Sequence, residues 1–212
     1  MGFGLFIPEI KTAFDLSSSL IGFISSFGFV GFFLALLVAQ AMLTRFGPKA
    51  PVVTGLVSAV LGMSAVAAAP SLTVLAAGVF FASASTGFAW TPFNDAVNRK
   101  VESASRPVAL ARISTGASIG IVMAALAACA AVLLGLSWRA AWVFFAAAAV
   151  VATALNWVSL RPVGPSAAAG RGGGRRQLAD RRAVPLYLVA FTLGSVSAIY
   201  ISFAADHMRS SG

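Results

Sequence analysis

The chain is short of charge. Only 10% of its 212 residues are Asp, Glu, Lys or Arg, where a soluble domain has about a quarter. Only six are acidic. A folded chain this poor in charge cannot cover its surface in water, and lipid is the solvent that suits it. Cysteine and histidine are almost absent, with Cys129 inside an apolar run and His207 in the C-terminal tail. One cysteine cannot build a disulfide framework within the chain, and this pair cannot supply a Cys/His metal site. Cys129 reads as a small buried hydrophobe. There is no HExxH, no nucleophile elbow, no Walker A pattern and no pair of buried carboxylates. No metal, cofactor, enzymatic chemistry or ATP-driven transport is therefore indicated. The apolar residues 1–10 lack the basic n-region and the small-residue cleavage site of a signal peptide.

Long apolar runs dominate what remains. Hydrophobic residues make up 59% of the chain, and the mean hydropathy is +0.91. The runs cover 20–42, 51–69, 72–96, 108–136, 140–160 and 184–205. A helix needs about 20 apolar residues to cross a hydrocarbon core of about 30 Å. Each run is near that length, and none carries a charge deep in its middle. The fold class expected is all-α, a polytopic transmembrane helical bundle.

The formal charge of +9 could suggest a nucleic-acid partner, but the placement of the charge argues against one. Arg45 and Lys49 sit in the second loop. Arg99, Lys100, Arg106 and Arg112 sit in or beside the fourth. Arg161, Arg171, Arg175, Arg176, Arg181 and Arg182 fill the sixth. Lys11, Arg139 and Arg209 are left for the opposite side. Such asymmetry is the positive-inside signal, and it puts the even-numbered loops in the cytoplasm. The partner of this charge is membrane lipid, with anionic headgroups beside the basic loops. The abundance of Arg over Lys, and of Ala, suits a GC-rich bacterial genome and thus a bacterial cytoplasmic (inner) membrane.

Residues 1–10 are too short to span and read as the last turns of a first transmembrane helix. The one long linker is 161–183, rich in Gly and Arg, and such sequence stays flexible and solvated. The expected layout is an N-terminal transmembrane bundle over 1–160 with its first helix truncated. A cytoplasmic basic linker follows at 161–183. The first helix of a truncated C-terminal bundle occupies 184–212.

Six helices, a long basic loop and a further helix resemble the major facilitator superfamily, whose members have two six-helix bundles. The loop after the second helix there carries a motif of roughly Gly-x-Leu-Ala-Asp-Arg-x-Gly-Arg-Lys. Here Gln40–Lys49 puts Arg45, Gly47 and Lys49 on the motif's Arg, Gly and final Lys. Thr44 stands at the motif's Asp and Gln40 at its first Gly. Gly78 stands where many proton-coupled members carry a fourth-helix Arg, and 115–120 has glycines without the proline of antiporters. Neither antiport nor coupling through that Arg is implied. Trp90–Lys100, followed by Ala111–Gly116, is similar to a bacterial group of facilitators labelled YbfB-like. The resemblance implies a secondary transporter of a small molecule working by alternating access, as part of a twelve-helix protein. The chain alone, without the C-terminal bundle, is then expected not to transport. The rival reading is a small polytopic scaffold, or a half-transporter that dimerises and has no transport activity of its own.

Polar groups within the runs are the candidates for a substrate cavity, because an unpaired polar group in lipid is costly. Glu9 is a candidate proton site or substrate contact, or else a carboxylate at a helix end. Asn94, Asp95 and Asn98 lie near the cytoplasmic end of the fourth helix, where Pro92 should bend it. Asn94 and Asn98 share a face, and Asp95 has the spacing to pair with Arg99. The other reading of this group is an ordinary interfacial helix end. Ser114 and Thr115 open the fifth helix, and Gly116 and Gly120 there form a small-xxx-small helix-packing stripe. Trp90 could stack on an aromatic or cationic substrate. Trp138, Trp142 and Trp157 read as interfacial anchors. Asn156 should bond to a neighbour.

Overall fold

The computed structural model describes residues 2–159, and all regular structure among them is helical. Two short helices come first, α1 (Gly2–Leu5) and α2 (Ile7–Phe14). Then follow α3 (Ser18–Phe46), α4 (Lys49–Ala67), α5 (Leu72–Lys100), a 3₁₀ turn at Ser103–Ser105, α6 (Arg106–Leu133) and α7 (Trp138–Ser159). The last five α-helices are long and apolar enough to cross a membrane. The linker 161–183 and the run 184–205, where a seventh helix was expected, lie outside the described residues.

The opening run is not one helix. It breaks at Phe6, and Pro8 sits in the first turn of α2. A proline ring clashes with the carbonyl four residues back and forces such a break. α2 ends at Asp15, which adopts the left-handed conformation (φ +50°). The Leu16 amide then closes back onto the Lys11 carbonyl at 3.0 Å. Aspartate tolerates that conformation better than most residues do.

Serine caps open α3 and α5. The Ser17 and Ser71 hydroxyls accept from the amides of Leu20 and Val74, at 3.3 and 3.5 Å. Each satisfies an amide that a helix start leaves open. α3 therefore begins two residues before its apolar run and ends four after it. Its 29 residues rise about 43 Å, more than the about 30 Å of the hydrocarbon core. α6 stops short of its run because Gly135 turns left-handed (φ +64°), with the Leu136 amide on the Ala131 carbonyl at 2.8 Å.

α5 is the central element, with α3 on one side and α4 on the other, and α7 packs on the far side of α4. The α3–α5 and α4–α5 interfaces are held by glycine. A side chain at Gly87 would run into the Phe32 carbonyl, and one at Gly62 into the Ala82 backbone. Helix backbones that touch directly leave no room for a Cβ. At Gly116 and Gly120, where a packing stripe was expected, an added Cβ would meet no described neighbour within 4 Å. α6 lies at the margin of the bundle, and residues 111–123 are exposed throughout. The small residues that matter for packing sit on α3, α4 and α5.

The core lies at one end. It gathers Phe3, Phe6, Ile7 and Ile10 with Ile21 and Ile24 of α3. From the other helices it takes Val66 of α4, Leu75 and Val79 of α5, Ala128 and Ala131 of α6, and Trp138 and Trp142 of α7. This is the end away from Arg45, Lys49 and Arg106. Trp138 and Trp142 are 8% and 3% exposed, so they are core residues and not interfacial anchors. The Phe6, Trp142 and Phe145 rings pack together with centroids 5.9–6.5 Å apart. Trp157 alone keeps the expected exposed position, with the Lys49 ammonium 4.9 Å from its ring.

Candidate functional site

The interior of the bundle changes character along α5. Leu75, Val79, Thr86, Trp90 and Phe93 follow at spacings of three, four or seven, so they share one face of the helix. Leu75 is fully buried in the core, and Val79 is 4% exposed. Beyond Val79 the same face opens: Thr86 is exposed, Trp90 is 55% exposed and Phe93 is 40% exposed. The neighbouring faces of α5 stay closed along this stretch. Gly87 is pressed on α3, and Ser85 and Phe88 lie against Gly55 of α4. The face that fills the core at one end is therefore left uncovered by the described helices towards the other.

Asp95 does not share that face. Asp95 lies five residues from Trp90, about 140° round the helix. It is half-buried, and its Oδ2 atom is buried. Asn94 donates from Nδ2 to the Trp90 carbonyl at 2.8 Å, one turn back. This bond ties up its amide beside Pro92, whose ring cannot donate to the helix ladder. Pro92 is fully buried, and α5 runs through it without interruption. Asn98 is exposed, and its carbonyl accepts from Arg106 Nη2 at 2.8 Å. The expected pairing of Asp95 with Arg99 falls on a side chain outside the described ones.

Glu9 stands apart from this group. It is on α2 beside the core, half-buried, with Oε2 buried. Ser114 and Thr115 are exposed on α6. The Thr115 hydroxyl donates to the Ala111 carbonyl at 2.9 Å, and Ser118 donates to Ser114 at 3.0 Å. Hydroxyls bonded within their own helix are satisfied without a partner. Asn156 behaves likewise and bonds Ala152 on its own helix at 2.8 Å, not a neighbour.

The loop after α3 is built for a sharp reversal. Gly47 caps α3 with φ +75°, a conformation in which a side chain would be strained. Arg45 is exposed, and Lys49 reaches across to Trp157 of α7. Gly78 faces α4, where a Cβ would lie 2.8 Å from the Val66 nitrogen. An arginine at this position could not reach the interior. The departure from the family pattern thus has a steric basis here.

Two arginines were read from the sequence only as loop charges, and both cap helices. Arg139 donates to the Ala67 carbonyl at 3.1 Å and lies 4.4 Å over the Trp138 ring. Arg106 donates to the carbonyls of Val101 and Asn98. Each satisfies carbonyls that a helix end leaves open and places positive charge at its negative pole. Thr86 and Phe93 were also missed. Their i, i+4, i+7 relation through Trp90 was the available signal.

The family model described as Major Facilitator Superfamily matches residues 1–210. The chain belongs to the major facilitator superfamily. No curated protein and no solved structure matches it. This facilitator is thus a multi-pass membrane transporter in general terms. Its family fits the absence of catalytic motifs from its sequence.

Proposed function

We propose that this facilitator is a secondary active transporter of a small molecule, working by alternating access, and that residues 1–160 form its N-terminal bundle. In this reading 161–183 is a cytoplasmic linker, 184–212 opens the C-terminal bundle, and the even-numbered loops face the cytoplasm of a bacterium. The stretches Trp90–Lys100 and Ala111–Gly116 favour the YbfB-like group. One observation carries the reading. The interior face of α5 is sealed at Leu75 and Val79 and open at Thr86, Trp90 and Phe93. A bundle closed at one end and open towards the other supplies half of a cavity reached from one side, as rocking about a midplane site requires.

The test is thiol accessibility. In a Cys129→Ser background, single cysteines replace Thr86, Phe93, Val143 or Val150. The last two are exposed on α7, on the face opposite the one buried against α4. A charged, water-soluble methanethiosulfonate should modify the cysteines at 86 and 93 in isolated membranes and leave 143 and 150 unmodified. Equal protection at all four positions would mean that the α5 face meets lipid, and the cavity reading would fall. Uptake assays then belong on the facilitator together with its C-terminal bundle. Saturable uptake by the 212-residue chain alone would favour the half-transporter instead.

A further inference from the structure

Three of the four tryptophans are engaged by the protein itself. Trp138 meets Phe14 at 6.2 Å and carries Arg139 on its face. Trp142 packs on Phe6 and Phe145, and Trp157 takes Lys49. Trp90 enters none of the ring or cation contacts among the described residues. Its ring stands on the open interior face of α5, one turn from Thr86 and from Phe93. An indole with a free face, flanked by a hydroxyl and a second aromatic ring, is a stacking platform.

Charge placement narrows what can stack there. Every described basic residue lies within about two turns of a helix end, so none reaches the middle of a span. A carboxylate or phosphate at the depth of Trp90 would find no described basic residue at its own level, and an unpaired anion in a membrane interior is strongly disfavoured. The π-face of an indole is itself negative and repels anions while attracting cations.

We propose that the open face of α5 recognises a flat aromatic molecule carrying no negative charge, stacked on Trp90, as the substrate class of this facilitator. The proposal rests on the reading of α5 as a cavity wall. Three probes of similar area separate the cases: quinoline (neutral), N-methylquinolinium (cationic) and 2-naphthoate (anionic). Binding to the 212-residue chain in lipid nanodiscs is measured by equilibrium dialysis at pH 8.

N-methylquinolinium and quinoline should bind saturably, and 2-naphthoate at least about tenfold more weakly. Trp90→Leu should weaken N-methylquinolinium about tenfold, whereas Trp90→Phe, which keeps a π-face, should stay within about threefold of the parent. Because Trp90 is exposed, both variants should melt at the temperature of the parent. Equal or tighter binding of 2-naphthoate would overturn the proposal. So would binding indifferent to Trp90→Leu, or no saturable binding of either other probe. If cysteines at 86 and 93 are still modified in any of those cases, the cavity stands and only the substrate class is lost.

Discussion

The two ends of this bundle are built by different means. At the end carrying Phe6, Val66, Val79 and Trp142, all seven α-helices meet in one apolar core, closed by tilted and edge-on rings and by Arg139. At the basic end the helices meet in pairs, through the Lys49–Trp157 contact and the Arg106 cap. Hydrophobic burial gathers the first end into one core, whereas at the second end separately buried residues such as Leu43, Val52 and Val97 are joined by local electrostatics at helix ends. Stability and access are thereby separated. The packed end fixes where the helices sit, and the other end is free to present polar and aromatic surface.

That contrast can be broken at graded strengths. The largest effect is expected from Gly62→Leu, which drives a side chain into the backbone of α5. Overpacking costs about 1–3 kcal/mol where neighbours can yield, and backbone cannot. No monodisperse protein should be recovered. Gly116→Leu, in open surroundings, should melt within a few degrees of the parent. If the two behaved alike, the assignment of tight packing to α4 and α5 would be wrong.

Next in size, Trp142→Ala empties the core and should remove about 3–5 kcal/mol. Trp157→Ala, at the basic end, should cost less than about 1 kcal/mol. Chemical denaturation in mixed micelles compares them directly, and equal losses would erase the distinction between the ends. Arg139→Ala removes both a helix cap and a ring contact, for about 1–2 kcal/mol. Arg139→Lys should restore part of that, and no restoration would mean that the stacked, planar guanidinium matters more than the charge.

The smallest effect is expected at Arg106. Replacing it with Ala should leave the melting temperature nearly unchanged, because the contact is local and at the bundle's edge. Amide hydrogen exchange should still rise in the last turn of α5, where the Asn98 and Val101 carbonyls lose their donor. Unchanged exchange there would show that the cap contributes nothing.

Much of this fold was legible in the sequence, and some of the site was not. The approximate positions of the five spanning helices follow from apolar runs, because lipid demands about 20 apolar residues whatever the tertiary structure. The starts of α3 and α5 were readable in principle from the serine caps Ser17 and Ser71. Which face of each helix looks inward was not readable. The helices are hydrophobic all round, so no polar stripe marks the exterior. That is why Trp138 and Trp142 looked like interfacial anchors and proved to be core. It is also why Asp95 was grouped with Trp90 by proximity in sequence, although the two lie on different faces. Among the described residues the close glycine contacts fall at Gly62 and Gly87, which spacing alone did not mark, because packing depends on which helices are neighbours.

The glycine seams on either side of α5 have a mechanical consequence. Where backbone rests on backbone there are no flexible side chains to absorb displacement, and close-packed atoms compress little. α5 therefore cannot turn or slide against α3 or α4. The three helices form a stiff plate, with α5 and its Trp90 in the middle and the packed core at one end. A force applied to any one of these helices is therefore borne by all three together.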